Sequence, residues 1–225
     1  MKILALDTAS SSCSVALKVD EHCAQREVMS AKYHSSTLLG LVRELLDNAG
    51  MTLRGLDLVA VDIGPGSFTG LRIGIGVAQG LAYGAGLPVK GIVSLAALAH
   101  EYSEGPVIST LDARMDQLYW GIYDQGREIA APGVDSPENL SSVLSEKTWA
   151  VPAMVTGNGW TAHAHRLPES LSHYPVRHSG RLYPQAAQVA ALAEDPATGR
   201  GDSPLQITAR YVRNRVAEKS ARNRT

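Results

Sequence analysis

A glycine-rich loop and two aspartates have the strongest potential for chemistry in this sequence. The loop reads GPGSFTG at positions 64–70, between a predicted strand and a predicted helix. Backbone N–H groups and a helix N-terminus at such a junction can hold a phosphate. Asp7 and Asp112 each end an apolar run, and two carboxylates at strand ends can hold Mg²⁺ through water. Gly64, Gly66, Asp7 and Asp112 are therefore the candidate cofactor-binding residues.

The loop departs from the known phosphate-binding motifs. Its third glycine lies one position too late for the dinucleotide-binding fingerprint, and no acidic residue closes the next strand at Val93. Gly70 is followed by Leu71 and Arg72, where a P-loop has Lys and then Ser or Thr. Ser67 lacks the G-x-S-x-G setting of a hydrolase nucleophile. The loop is then either an anion site or a tight strand-to-helix turn.

The sequence gives metal and cofactor chemistry little further support. The alternative role of the two aspartates is to cap turns, which requires no ion. Seven histidines are present, but none forms H-E-x-x-H or another recognisable ligand pair on a helix. We therefore predict no metal site and no bound cofactor.

The composition is that of a folded chain without a global charge. Its 225 residues include 21 basic and 22 acidic side chains, so no overall field favours nucleic acid or an anionic membrane. Cys13 and Cys23 form no C-x-x-C motif, and no run of 18 apolar residues occurs. We expect a cytoplasmic protein with no membrane contact.

The near-neutral total conceals a basic C-terminal tail. Residues 210–225 contain Glu218 as their only acidic side chain. Their basic side chains are Arg210, Arg213, Arg215, Lys219, Arg222 and Arg224. The tail is either a solvated, frayed end or a strip that faces RNA.

Short apolar runs that alternate with helical patterns predict an α/β sheet. The expected strands are 3–6, 15–19, 56–63, 88–93, 107–112, 117–123 and 151–156, and the later helices are 138–145 and 184–193. The run that ends at Asp112 repeats the pattern of the run that ends at Asp7, 105 residues earlier. Either the chain contains an internal duplication or it contains two unrelated hairpins.

The helix predicted at 35–49 has an unusually wide apolar face. Six side chains cover an arc of roughly 160°, whereas packing on one sheet needs a stripe of about 100°. They are Leu38, Leu39, Leu41, Val42, Leu45 and Leu46. The surplus is either a wide core contact or a surface for another polypeptide.

The helix predicted at 70–84 is apolar on almost every side, with Arg72 as its only charge. Gly76, Gly80 and Gly84 form a strip without side chains along this helix. Ile73 and Val77 are the aliphatic residues that flank it. Each interior glycine costs about 1 kcal/mol relative to alanine, so a close helix-to-helix contact, either internal or between subunits, must offset that cost. Together with 35–49, this helix predicts a two-helix surface that forms a four-helix bundle with a second molecule.

Five segments of the chain together resemble the bacterial TsaB (YeaZ) family. They are DTASSS at 7–12, GPGSFTGLRIG at 64–74, VSLAALA at 93–99, LDARMDQLYW at 111–120 and RYVRNRVAEK at 210–219. The resemblance covers essentially the whole chain. It implies a duplicated ribonuclease-H-like α/β fold, as in the actin, Hsp70 and sugar-kinase superfamily, with lobes at 1–104 and 105–225.

The resemblance also implies a function. The family is similar to TsaD, the enzyme that transfers threonylcarbamoyl from its adenylate to N6 of adenosine 37 in tRNAs that read codons beginning with A. TsaD holds a metal with H-x-x-x-H, and the matching positions here are Leu95 and Ala99, which cannot coordinate one. We therefore expect no catalytic residue. The expected role is a scaffold that pairs with TsaD through helices 35–49 and 70–84.

Further partners follow from the same resemblance. The ATPase TsaE joins the assembly, tRNA is bound only through the complex, and the chain alone forms a homodimer through the same surface. Two enzymatic alternatives stay open. One is a nucleotide-dependent, ATPase-like enzyme that uses Asp7, Asp112 and the 64–70 loop. The other is a relative of the M22-type metallopeptidases, for which the sequence lacks both metal ligands and a nucleophile.

Overall fold

Two five-stranded sheets, one from each half of the chain, form the frame of the molecule. The computed structural model describes residues 1–29, 34–102, 104–145, 151–167, 176–199 and 201–213. Within these ranges no helix is long and apolar enough to span a bilayer.

The first sheet has the order β3-β2-β1-β4-β5. Its strands are β1 (Lys2–Asp7), β2 (Ser12–Val19), β3 (His22–Met29), β4 (Leu58–Gly64) and β5 (Val89–Val93). β1, β2 and β3 form an antiparallel meander, whereas β4 runs parallel to β1 and β5 parallel to β4. Because β1 is central and both faces of the sheet are covered, its sequence is almost continuously apolar.

The second sheet repeats this topology, with the order β10-β9-β6-β7-β8. Its strands are β6 (Pro106–Arg114), β7 (Gln117–Asp124), β8 (Arg127–Asp135), β9 (Ala153–Thr156) and β10 (Val176–His178). β6 is antiparallel to β7 and parallel to β9, as β1 is to β2 and β4. The predicted duplication is confirmed, and Asp7 and Asp112 lie at matching ends of the two central strands.

Helices cover both sheets and connect the two halves. They are α1 (His34–Asn48), α2 (Phe68–Ala85), α3 (Ser94–Ala99), α4 (Pro137–Ser145), α5 (Asn158–Ala162) and α6 (Ala186–Glu194). α1 and α2 pack on one face of the first sheet, and α6 covers the opposite face. In exchange, α3 from the first half packs against β6 and β7 of the second. A division at residue 104 therefore separates the sheets but not the helices that cover them.

The strands that the sequence patterns miss lie at the sheet edges. β3 and β8 are the outer antiparallel strands, and most of their residues are exposed or only half-buried. A strand with little burial on either face lacks the apolar alternation from which strands are predicted. The strands and helices that were predicted from apolar runs are present, with ends that differ by a few residues.

Candidate functional site

The glycine loop packs directly on the turn that follows β1. A Cβ atom added to Gly66 would lie 2.2 Å from the carbonyl oxygen of Ala9, and one on Gly70 would lie 2.0 Å from that of Thr8. A Cβ on Gly74 would lie 2.3 Å from Thr8 Oγ1. These separations are far below van der Waals contact, so only glycine permits the approach.

Hydrogen bonds close this contact from both sides. The N–H of Ser67 donates to the carbonyl of Ala9 at 2.6 Å, and Thr8 Oγ1 donates to the carbonyl of Gly70 at 2.7 Å. Ser67 also caps α2, because its Oγ accepts the N–H of Gly70 at 3.2 Å. Of the two interpretations of the loop, the geometry favours the tight strand-to-helix turn.

Asp7 lies beside Asp62, because the parallel register of β1 and β4 places the two carboxyls on adjacent strands. Both side chains are buried. Asp62 Oδ1 accepts the N–H of Gly64 at 2.7 Å and the hydroxyl of Ser94 at 2.6 Å. Asp7 Oδ1 accepts one N–H, that of Ala9, at 2.9 Å.

The two buried carboxyls affect each other's pKa. Burial and the neighbouring Asp62 carboxylate raise the pKa of Asp7 well above its usual range. Burial also raises the pKa of Asp62, to about 6, while the donors Ser94 and Gly64 favour its ionised form. The Oδ2 atoms of both carboxyls are buried and have no hydrogen-bond partner among the described residues. We therefore expect Asp7 to be the protonated member of the pair, with Asp62 as its acceptor.

Asp112 has a different environment, on the wall of the cleft between the two sheets. Its Oδ1 accepts the N–H of Arg114 at 2.9 Å and lies 3.2 Å from His163 Nε2. The guanidinium of Arg114 lies 3.4 Å from Oδ2. The carboxylates of Asp7, Asp62 and Asp112 each accept the N–H two residues later, which is the turn-capping role. Among the described residues, no three His, Cys, Asp or Glu side chains cluster as metal ligands.

A cavity of about 620 Å³ occupies the cleft. Of the four candidate cofactor-binding residues, Gly66 and Asp112 line it, whereas Asp7 and Gly64 do not. The two aspartates therefore do not share the wall of this cavity. Three arginines and four aromatic residues lie on the wall. They are Arg114, Arg210, Arg213, Phe68, Tyr119, Tyr183 and Tyr211.

The C-terminal segment forms one side of this cavity. The N–H of Arg210 donates to the carbonyl of Ile63 in β4 at 2.7 Å, and the ring of Tyr211 lies 6.0 Å from that of Phe68. Arg213 then reaches the hairpin between β6 and β7 in the other half. The remaining tail, 214–225, with the basic residues Arg215, Lys219, Arg222 and Arg224, lies outside the described residues.

The glycine strip of α2 faces away from the rest of the chain. Gly76, Gly80 and Gly84 are exposed, and a Cβ added to any of them would have no heavy atom within 4 Å. Ile73 and Val77 beside them are half-buried. Within the described chain, nothing packs against these three glycines.

The apolar surplus predicted for α1 is mostly core. Leu38, Leu41, Val42, Leu45 and Leu46 are buried inside the chain, and of the six residues only Leu39 is exposed, at 49%. This corrects their assignment to an open surface. The wide arc has two neighbours, because α1 packs over β2 as well as against α2.

Sequence reasoning missed three site residues. Asp62 follows an apolar run, as Asp7 does, and this shared pattern could have identified it as a site residue. His163 reaches Asp112 and Arg213 reaches the cleft from segments far away in sequence, so no local pattern identifies them.

Comparisons with known proteins agree with this geometry. The model of one protein family, described as TsaD: tRNA N6-adenosine threonylcarbamoyltransferase, matches residues 27–217. The tRNA threonylcarbamoyladenosine biosynthesis protein TsaB of Haemophilus influenzae is 34% identical over 97% of this chain and 96% of its own length. TsaB of Escherichia coli is 33% identical over 97% of both chains.

Solved structures extend the likeness to the fold. The structure described as YeaZ from Pseudomonas aeruginosa has a TM-score of 0.82 at 36% identity, over 93% of this chain and 99% of that one. Another, an uncharacterised protein with similarity to peptidase YEAZ, has a TM-score of 0.83 at 35% identity, over 94% and 99%. The two matching sheets form the duplicated ribonuclease-H-like fold. From its sequence relatives, its structural neighbours and this shared architecture, we conclude that the chain belongs to the TsaB (YeaZ) family.

Proposed function

We propose that this chain is a non-catalytic, cytoplasmic partner of a TsaD-type transferase in the formation of threonylcarbamoyladenosine in tRNA. Its relatives carry the name of that biosynthesis, and the family model that matches it describes the transferase itself. In this proposal α2 and the outer side of α1 bind TsaD, and TsaE joins the pair. The same surface forms a homodimer when the chain is alone, and tRNA is bound through the complex.

The observation that carries the proposal is the open glycine strip of α2. Exposed glycine in a helix interior costs about 1 kcal/mol relative to alanine. Gly76, Gly80 and Gly84 therefore cost about 3 kcal/mol together, and no contact in the described chain requires their small size. A second helix whose backbone approaches the strip would require it, because small residues allow that approach.

The surroundings of the strip suit a protein partner. Leu39 on α1 and Tyr83 on α2 are large apolar side chains that are 49% and 73% exposed. Ile73 and Val77 remain half-buried and available for further packing. With five residues of α1 in the core, the proposed interface centres on α2.

The non-catalytic part of the proposal is supported by what occupies the possible catalytic positions. Leu95 and Ala99, which match the H-x-x-x-H positions of TsaD, are buried apolar residues. Asp7, which the ATPase-like alternative requires, is paired with Asp62 and does not line the cleft. Neither enzymatic alternative gains a specific supporting contact.

We expect Gly80→Leu to abolish pairing with TsaD and the homodimer while the isolated chain stays folded. A leucine here enters open space in the monomer but would fill the volume that a partner helix needs. Size-exclusion chromatography with purified TsaD, analytical ultracentrifugation of the chain alone and a thermal melt provide the measurements.

Asn139→Leu is the matched control, since it places the same side chain at an exposed helical position in α4. It should co-elute with TsaD as the wild type does. Co-elution of a folded Gly80→Leu variant would show that the surface is wrongly assigned. A tRNA modification assay with TsaD and TsaE, with and without this chain, tests the function itself, and unchanged product without the chain would refute it.

A further inference from the structure

The tip of the β6–β7 hairpin has an unfavourable backbone conformation. Arg114, Met115 and Asp116 have φ values of 59°, 51° and 57°, so three consecutive residues other than glycine lie in the left-handed region. Arg114 pairs with Gln117 across the hairpin, which leaves Met115 and Asp116 as a two-residue turn. Such turns favour asparagine and glycine, because most side chains crowd the backbone in this region. The tip therefore costs free energy that contacts from elsewhere must offset.

The matching turn of the first half shows that the fold does not require this conformation. It joins β1 to β2 through residues 8–11, all of which the structure describes, and none of them has a positive φ. The left-handed tip is therefore a feature of the second half alone. Its cause must lie in the residues that surround it.

Arg213 makes one set of contacts with the tip. Its Nη2 donates to the carbonyl of Ala113 at 3.0 Å and to Gln117 Oε1 at 2.7 Å, and its Nη1 lies 3.4 Å from Met115 Sδ. One half-buried guanidinium thus contacts β6, β7 and the turn between them. Hydrogen bonds from a charged donor are stronger than those between neutral groups, so Arg213 stabilises the hairpin in this shape.

Arg166 makes a second set of contacts. Its Nη1 donates to the carbonyl of Asp116 at 3.3 Å and lies 3.4 Å from Asp116 Oδ1. Glu138 on α4 orients the same guanidinium by accepting from Nε at 2.9 Å and from Nη2 at 3.2 Å. Arg166 is thus held within the second half of the chain.

Arg213, in contrast, ends a segment that is fixed on the first half. The chain from Asp202 to Arg213, which we call the strap, begins beside β5, where Asp202 and Val89 exchange two hydrogen bonds at 2.7 and 2.9 Å. Gln79 on α2 then donates to the carbonyl of Ile207 at 3.0 Å, and the Ile207 side chain is buried in the core under α2. The strap therefore connects the first sheet to the hairpin of the second.

We propose that the strap is a conformational clamp, in which Arg213 keeps the hairpin tip left-handed and its release lets the tip relax. With the strap in place, the N–H of Arg114 donates to Asp112 Oδ1 at 2.9 Å, and its guanidinium lies 3.4 Å from Oδ2. Relaxation of the turn breaks these contacts, so the strap also sets the position of Arg114. The clamp needs no bound ligand and is separate from the proposed pairing surface.

Limited trypsin digestion of the full chain tests the clamp, because Arg114 at the tip is 84% exposed and is itself a cleavage site. A tight turn resists the protease until it opens, so the cleavage rate at this bond reports the population of open tip. We expect Arg213→Gln to raise the rate at least about tenfold, the scale of one charge-assisted hydrogen bond. Mass spectrometry measures it. In the same digest, the bond after the buried Lys90 reports unfolding of the whole chain and should accelerate much less.

A second pair of variants tests the backbone strain without changing Arg213. Met115→Gly and Met115→Ala both remove the thioether, but only glycine adopts the left-handed region freely. Met115→Gly should therefore have the higher urea midpoint. Adding Arg213→Gln should accelerate cleavage after Arg114 less in the glycine variant than in the alanine variant, since the glycine tip no longer depends on the clamp.

Arg54→Gln, which removes an exposed arginine of the first half, is the matched control and should cleave after Arg114 as the wild type does. The proposal is overturned if Arg213→Gln accelerates that cleavage no more than Arg54→Gln, or no more than it accelerates cleavage after Lys90. It is also overturned if Met115→Gly is no more stable than Met115→Ala.

Discussion

Gly70→Ala is expected to lower the free energy of unfolding by at least about 3 kcal/mol. The new Cβ would lie 2.0 Å from the carbonyl oxygen of Thr8 and 3.2 Å from its carbon. These are backbone atoms at the end of β1, in the centre of the first sheet, so neither side can move without breaking the Thr8 hydrogen bond to Gly70. Such a loss is a large part of the total stability of a domain.

Gly76→Ala provides a matched comparison on the same helix. Its Cβ meets no atom within 4 Å, and alanine favours the helix by about 1 kcal/mol. The same substitution six residues apart should therefore have opposite signs. Urea denaturation of the isolated chain measures both free energies. A Gly70→Ala chain as stable as the wild type would mean that the loop does not pack tightly on the β1 turn.

Replacing the protonated carboxyl of the buried pair should remove a strong pH dependence. In the unfolded chain aspartate has a pKa near 3.8, whereas the folded chain keeps a proton on Asp7 far above that value. Above pH 4 the folded state therefore binds more protons at this pair than the unfolded state does. Its contribution to stability falls as the pH rises, through the pKa of about 6 at Asp62 and beyond it at Asp7.

Asp7→Asn is the variant that isolates this effect. Asparagine keeps the shape, accepts the Ala9 N–H and donates to Asp62 without a titrating proton. The free energy of unfolding of Asp7→Asn relative to wild type should therefore increase with pH. Over the pH range in which folded Asp7 is protonated and unfolded aspartate is ionised, its slope approaches about 1.4 kcal/mol per pH unit, the value for one proton.

The difference between the two proteins cancels the other titrating groups. Burial lowers the pKa of His100, which opposes the trend below neutrality, and Arg181 lowers that of Glu101, which acts at lower pH. Asp62→Asn keeps Asp7 as a buried carboxyl whose pKa burial raises, so this variant should still lose stability as the pH rises. A flat difference between Asp7→Asn and wild type would contradict a protonated Asp7.

The sequence predicts the parts of this molecule whose signals are local. Apolar runs that end in Asp7 and Asp112 predict two central strands and their repetition, because strands buried on both faces are apolar throughout. The glycine spacing at 76, 80 and 84 predicts a bare helical strip, and no described residue covers it. Edge strands such as β3 carry no comparable signal, since little of their surface is buried.

The site was less predictable, because its contacts join distant segments. Gly66 and Gly70 suggest a phosphate loop as readily as a close backbone contact, and only the position of Thr8 and Ala9 distinguishes the two. The wide apolar face of α1 indicated that the helix packs against more than one element. It did not indicate that these elements are β2 and α2 of the same chain. Arg213 could not be assigned to a cleft from a tail whose composition is simply basic.

The exchange of α3 and α6 between the halves has a consequence for how such a duplicated protein holds together. Ile3, Ala5 and Leu58 on the first sheet are sealed by α6, which is synthesised more than a hundred residues later. Separating the two halves would therefore expose apolar surface on each sheet that a helix from the other half covers. We therefore expect the two halves to unfold together in one transition.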